Sequence, residues 1–316
     1  MPSDSAPTYS SPVRYQGWRI ALLSVAPDVV VSFGQLLQDR GHEVVAVVMP
    51  PGPEGPVAQN ALKWSVIHRV IQEAPRTADI LIASKRSRLA PLLKAVQPDL
   101  LLTFFFPWRV PAEALAVPTQ GAINVHPSLL PRYRGPNPLG WTLRNGDPEV
   151  GLTFHRMEPQ FDTGPILAQG SQPISDEESV DAIATKVMDM SLELLPQALS
   201  RVAWGDVGEP QSEAEASQAG HFEDAYREIN WSEPARAVHR RVRACRMSSW
   251  RDGVPCVAMG TLEGHRLQVI TTSLLQEAAP ERRAEPGSVL ERQGASILVQ
   301  CGDGPLWITQ SEPWSG

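Results

Sequence analysis

The hydrophobic positions of this chain follow two rhythms that alternate through its first half. Largely apolar runs at 19–23, 43–48, 80–82 and 99–106 read as strands covered on both faces. Between them, residues 29–40, 58–73 and 88–96 read as helices, and Gly41 is the stop signal of the first. Residues 49–56, with four prolines and two glycines, predict a loop. This alternation predicts an α/β domain built on a Rossmann-like, mostly parallel sheet. A further strand is expected at 121–126, a helix at 136–144, strands at 151–157 and 164–168, and a long amphipathic helix at 177–202 that closes the domain.

The rhythm is lost at both ends of this region. Residues 1–16 are polar and proline-bearing, and predict a loose tail ahead of a domain spanning 17–204. Residues 205–228 begin with a stretch rich in Gly, Ser, Ala, Gln and Glu and predict a linker. Beyond it, over 229–316, a helix at 234–246 leads into short runs at 255–259, 267–272, 287–292, 296–300 and 306–310, separated by glycine-bearing turns. That spacing predicts a small β-barrel.

At 316 residues and 42% hydrophobic content the chain is long enough for two domains with buried cores. It has no apolar run of 18 residues, and its start, Met1-Pro2-Ser3-Asp4-Ser5, has no basic segment leading into an apolar stretch. Neither a membrane span nor a signal peptide is expected, and the cytoplasm is the expected location. Cys245, Cys256 and Cys301 are odd in number and lack metal-ligand spacing, so a disulfide framework, a zinc site or any other metal is not expected. A net charge of −7 argues against a general DNA or RNA binder. No G-x-G-x-x-G follows the first strand and no G-x-x-x-x-G-K-[ST] occurs, which disfavours NAD and ATP.

The candidate chemistry sits where the run 121–126 ends. Asn124 and His126, two apart on a strand, point to one face, and Pro127 and Pro131 end the strand beyond them. Asp162 follows 36 residues after the histidine, ahead of Thr163-Gly164. Each residue alone has an ordinary structural reading, a satisfied histidine or a turn aspartate. Together, an amide, an imidazole and a carboxylate at the carboxyl end of an α/β strand suit acyl transfer to an amine.

The ordered pattern Asn124-Val125-His126, Ser128-Leu129-Leu130-Pro131, Tyr133-Arg134-Gly135, Met157 and Phe161-Asp162-Thr163-Gly164 resembles the folate-dependent formyltransferases. That family includes enzymes acting on methionyl-tRNA, glycinamide ribonucleotide and sugar amines. The resemblance extends over about 17–312 of the chain, weakly in the second half, where Ile229-x-Trp231 and Gly302-Asp303-Gly304 match an OB-like domain. It implies 10-formyltetrahydrofolate as co-substrate. It places the pterin against the backbone of Phe106, Trp108 and Val110, with Arg109 in the same loop and Phe161, Asp162, Thr163 and Gly164 opposite. It implies that Asn124 donates to the formyl oxygen and that His126, if protonated, adds a second donor. Asp162 is expected to raise the His126 pKa and to take the amine proton. Ser128, Arg134 and Gly135 are secondary substrate-binding candidates: Ser128 to hold the turn, Arg134 to meet a substrate anion or form a structural ion pair, Gly135 to permit a tight turn. His155 matches no catalytic position and is expected to be structural.

The acceptor is less legible. The stretch 44–62, where tRNA-directed relatives carry a basic insertion, contains no Lys or Arg, and the 205–224 segment is acidic. Six arginines between 236 and 251 concentrate charge on the helix that opens the second domain. The expected acceptor is a small amine, such as an amino sugar or a hydroxyornithine-type precursor. The alternatives are initiator methionyl-tRNA, hydrolysis of formyltetrahydrofolate, and a non-catalytic binding module.

Overall fold

The computed structural model describes residues 17–51, 61–248, 255–275 and 284–314. The expected tail and most of the proline-rich loop lie outside them. Strand β1 (Arg19–Leu23), helix α1 (Pro27–Asp39) and strand β2 (Glu43–Met49) form a βαβ opening. Helix α2 (Ala61–Glu73), β3 (Asp79–Ile82), α3 (Leu89–Val96), β4 (Leu100–Phe104), the short α4 (Ala112–Leu115) and β5 (Ala122–His126) follow. Helix α5 (Pro138–Asn145), β6 (Glu149–Arg156), β7 (Ile166–Pro173) and α6 (Val180–Ala203) complete the first unit. The sheet order is β3-β2-β1-β4-β5-β6-β7, parallel from β3 to β5 and antiparallel at β6 and β7.

Both faces of this sheet are covered, which is why its first strands are apolar throughout. Ile20 and Leu22 of β1 pack into a cluster with Phe33 of α1 and Leu195 of α6, whereas Ala21 and Leu23 pack on the other side with Leu93 of α3 and Ala114 of α4. Each large side chain buried in this way contributes about 2 kcal/mol. The run 99–106 stops being a strand earlier than its composition suggests. Phe104 is fully buried, but Phe105 turns into left-handed backbone at φ 52° and lies exposed, so the chain leaves the sheet there. The chain winds outward from β1 to β3 and then crosses to β4 on the far side of β1. Such a reversal opens a crevice outside the carboxyl ends of the strands. The loops after β4 and β5 rise beside it.

The second unit contains α7 (Ala235–Met247) and strands β8 (Ala258–Leu262), β9 (His265–Leu274), β10 (Val289–Gln293), β11 (Ser296–Gln300) and β12 (Pro305–Pro313). The strands form one antiparallel sheet in the order β10-β11-β12-β9-β8. Asp303 Oδ1 accepts the Ala235 N–H at 2.7 Å at the start of α7, and Trp231 is buried with its indole N–H on the Thr261 carbonyl.

Two expectations change here. The segment 205–228, read as a linker from its polar composition, is laid against the first unit. Glu209 and Ile166 exchange backbone hydrogen bonds at 2.8 and 2.9 Å, the Ala219 N–H meets the Arg134 carbonyl at 2.7 Å, and Ala219 and Phe222 are buried. Backbone pairing leaves no apolar period to detect. The arginines of α7 are not a free cationic face either. Arg236, Arg240 and Arg243 converge on the half-buried Asp176 at 2.6, 2.8 and 3.4 Å, Arg241 meets Glu233, and Arg246 meets Asp181. Burial opposes the Asp176 charge, yet Arg240, Arg236 and Arg243 outweigh it and hold the carboxyl below its ordinary value. These contacts clamp α7 to the connection between β7 and α6.

Candidate active site

Strand register builds the site. In β5, Asn124 is directly opposite Thr103 of β4 on one side and His155 of β6 on the other, so three polar side chains lie in a row across three strands. The Thr103 hydroxyl donates to Asn124 Oδ1 at 2.6 Å. His155 Nδ1 lies 2.8 Å from the Arg156 carbonyl; a carbonyl can only accept, so this nitrogen carries the hydrogen. His155 Nε2 is left as the acceptor for the Asn124 amide N–H, 3.1 Å away. The chain of bonds fixes the amide, oxygen toward Thr103 and nitrogen toward His155. Asn124 is half-buried, while His155 is 2% exposed.

His126, two residues on, is 4% exposed, and its Nε2 donates to the Tyr133 carbonyl at 2.8 Å. Tyr133 has a left-handed backbone, φ 62°, which turns that carbonyl inward. The other ring nitrogen, Nδ1, lies 3.6 Å from Asp162 Oδ2. Asp162 itself is 8% exposed and sits on left-handed backbone at φ 56°. Its Oδ2 accepts the Gly135 N–H at 2.8 Å, and its Oδ1 lies 3.3 Å from Asn124 Nδ2 and 3.5 Å from His155 Nε2. One carboxylate thus meets Asn124, both histidines and a backbone donor.

The electrostatics correct one expectation. Asp162 was expected to raise the His126 pKa. Burial of the ring outweighs the attraction of Asp162, and the His126 pKa falls below its ordinary value of 6.5, leaving a neutral imidazole at neutral pH. Asp162 moves the other way from what burial alone dictates. Desolvation opposes its charge, but the two histidines in their protonated forms and the Gly135 N–H hold the carboxyl far below the usual carboxylate range.

Gly164, after the Asp162 turn, has no room for a side chain, since a Cβ there would collide with the Arg156 carbonyl. Gly135 has φ 116°, a conformation that side chains rarely adopt, and this turns its N–H onto Asp162. The loop after β4 faces the same region. Phe106 and Trp108 are half-buried and meet edge to face, Val110 is buried in the core, and Arg109 donates to the Pro159 carbonyl while lying over the Phe161 ring. That arginine therefore clasps the two loops together. Phe161 is 58% exposed beside Asp162, and the Thr163 hydroxyl donates to Glu158.

Two of the secondary candidates are engaged inside the protein. Ser128 is buried and its hydroxyl donates to the Arg132 carbonyl at 2.7 Å, holding the turn. Arg134 is 4% exposed and is taken up by Gln211 and, through both terminal nitrogens, by Glu213. Of its two expected roles, the structural ion pair is the one observed. Thr103 was not singled out in the sequence, and His155 was read as structural without its contact to Asn124. The spacing Thr153-x-His155 on β6 repeats that of Asn124-x-His126, and is the signal that points to a second polar face.

The formyl transferase family model matches residues 19–199, and the model for the formyl transferase C-terminal domain matches 223–315. The chain belongs to the formyltransferase family. Among its relatives, the methionyl-tRNA formyltransferase of Trichlorobacter lovleyi is 31% identical over 302 residues, covering 92% of this chain and 88% of that protein. That of Pelobacter propionicus is 32% identical over 286 residues, covering 87% and 83%. HypX from Aquifex aeolicus, solved in complex with tetrahydrofolic acid, superposes with a TM-score of 0.69 at 20% identity, over 94% of this formyltransferase but only 44% of the HypX chain. An N-formyltransferase from Helicobacter canadensis, solved with folinic acid and dTDP-3-aminofucose, superposes with a TM-score of 0.63 at 17% identity, over 93% and 99% of the two chains. At these identities the likeness is one of fold. No helix among the described residues is long and apolar enough to cross a membrane.

Proposed function

We propose that this formyltransferase moves the formyl group of 10-formyltetrahydrofolate to the nitrogen of a small amine, with Asn124, His126 and Asp162 carrying the reaction. The observation that supports this reading is the single Asp162 carboxylate within reach of Asn124 and His126 at the carboxyl ends of the strands, next to the exposed ring of Phe161. The crevice suits a pterin. Phe161 offers an exposed aromatic face, and Arg109 ties the loop 106–110 to it.

The folate supplies the formyl group and leaves as tetrahydrofolate. Asn124 holds its NH2 toward the reacting carbon because Thr103 occupies its oxygen, and the N–H on Asp162, the longer of its two bonds at 3.3 Å, is the one it exchanges for the formyl oxygen. One such donor lowers a barrier by about 3 kcal/mol. Asp162 accepts the proton that the amine must lose and shares it with His126 Nδ1, whose lone pair is free because Nε2–H is held by Tyr133. The pair then returns that proton to the departing nitrogen.

The pH dependence follows from the shifted groups. A neutral His126 is the proton-accepting form, and its lowered pKa keeps it neutral as the pH falls to 6.5. The kcat profile is therefore expected to stay flat from neutral pH to below 6.5 and to fall only beneath it. A profile that halves at or above 6.5 counts against this role. Stability has the same sign. The unfolded chain binds protons at His126 and Asp162 before the folded chain does, so the melting temperature falls as the pH drops below 6.5 and then through the carboxylate range.

Charge favours a small acceptor. The arginines of α7 are committed to Asp176, Glu233 and Asp181, and Asp206 and Glu209 of the 205–228 segment pair with Arg201, so neither offers a cationic track for phosphates. A second reading, transfer to initiator methionyl-tRNA, is favoured by the relatives that bear that name over nearly the whole chain. The two are separated by following tetrahydrofolate release from 10-formyltetrahydrofolate with nucleotide-linked amino sugars, hydroxyornithine-type amines or charged initiator tRNA. Turnover with a small amine is expected. Turnover with the tRNA alone overturns that preference, and formate release without any amine points to hydrolysis.

A further inference from the structure

The segment 205–228 reaches the candidate chemistry through a single side chain. Gln211 donates one amide hydrogen to the Asp162 carbonyl and the other to the Gly164 carbonyl, both at 2.8 Å. Its own Oε1 accepts from Arg134 Nε at 3.0 Å and Nη2 at 2.8 Å. The two N–H groups therefore bracket the Asp162-Thr163-Gly164 turn from outside, and the oxygen is anchored on a buried arginine that Glu213 holds in place.

Asp162 needs such a bracket. Its left-handed backbone, φ 56°, is a conformation that a non-glycine residue keeps only when its surroundings impose it, at a cost of about 1–3 kcal/mol. A relaxed turn at this point carries the carboxylate away from the Gly135 N–H and from His126 Nδ1. The bonds that act on the backbone of Asp162 from outside its own loop come from a residue 49 positions later in the chain.

We infer that Gln211 is a positioning residue for Asp162, and that the segment between the two units is thereby a working part of the site. The inference rests on the formyl-transfer reading above, because it gives Asp162 its task. Gln211 acts through the aspartate: it holds the carboxylate where it is deprotonated and aligned with His126 and Asn124.

Gln211→Glu tests this directly. The substitution keeps the volume and the acceptor facing Arg134, so the segment stays fastened, but it replaces both donors to the turn by a carboxylate facing two carbonyls. Wild type, Gln211→Glu and Asp162→Asn are assayed together for folate-dependent formyl transfer, with kcat, the folate KM and the kcat–pH profile measured for each. We expect Gln211→Glu to lower kcat by about 10- to 100-fold with a much smaller change in KM, the scale of a misplaced catalytic group. The acid limb of its profile moves downward, because His126, whose protonation sets that limb, loses the nearby Asp162 charge that raises its pKa. A strap that merely stabilises the fold changes the melting temperature and leaves the pH profile unmoved. Near-normal kcat and an unshifted profile in Gln211→Glu, beside an inactive Asp162→Asn, overturn the inference alone. A wild type without transfer, or an unaffected Asp162→Asn, overturns the reading beneath it. Should Gln211→Glu fail to fold, Gln211→Met, which also lacks both donors, is read by the same criteria. Glu209→Gln, which loosens the ion pair with Arg201 elsewhere on the same segment and leaves the Gln211 bonds in place, is the control and is expected to keep kcat within about twofold, as for a surface ion pair.

Discussion

Asp162→Asn is expected to lower kcat by about 10³-fold or more while the protein remains folded. An asparagine fits the space, and its carbonyl can still accept the Gly135 N–H that Asp162 Oδ2 now holds at 2.8 Å. What it cannot do is take a proton from the attacking amine or share one with His126 Nδ1, 3.6 Å away. His126, His155 and the Gly135 N–H favour the charge by more than burial opposes it, so the substitution also lowers the melting temperature, and the rate is compared on protein shown to be folded. Binding of the folate, which this reading assigns to the loop 106–110 and the Phe161 face, should change little. The measurements are kcat by tetrahydrofolate release, folate affinity by fluorescence titration and the melting temperature. Loss of kcat with folate affinity retained is the expected result. An Asp162→Asn enzyme within tenfold of wild type sinks the proton-transfer role.

How much of this was legible beforehand depends on which interactions leave a periodic trace. The doubly covered strands β1, β2 and β4 announce themselves as apolar runs because both faces meet helices. Asn124, His126 and Asp162 were legible as an ordered motif. His155 was read as structural without its contact to Asn124, because a histidine inside a strand carries no mark of its cross-strand neighbour; only the register that pairs Asn124 with His155 reveals the contact. Phe105 ended its strand early through a backbone turn that its side chain does not advertise. The 205–228 segment was read as a linker for a related reason: it binds through backbone ladders and through Gln211, and neither produces a hydrophobic period. The α7 arginines illustrate the converse. A cluster of like charges is visible in the chain, but the half-buried Asp176 that gathers three of them is 60 to 67 positions away in sequence.

Asn124→Asp should be the second most damaging change, with kcat lowered by about 10²- to 10³-fold, the scale of one lost oxyanion donor. The new side chain keeps the shape and still accepts from the Thr103 hydroxyl, so the β4 contact survives. It offers no N–H to the formyl oxygen, and when ionised it opposes the charge that develops there. It also sets a second carboxylate against Asp162 Oδ1, where Asn124 Nδ2 now lies at 3.3 Å. Two carboxylates at that separation do not both ionise readily, so the pair retains a proton to higher pH and the acid limb of the kcat profile moves upward. His155→Leu should act through the same atoms and more weakly, by about tenfold, since it frees the amide to rotate without deleting its donor. Because His155 works by orienting Asn124, the two losses are not expected to add: once the amide is gone, removing its support costs little more, which a double-mutant cycle detects as a coupling of about 1 kcal/mol or more. Fully additive losses would show instead that His155 and Asn124 act independently, and the row from Thr103 through Asn124 to His155 would then be a structural feature of the sheet with no part in orienting the amide.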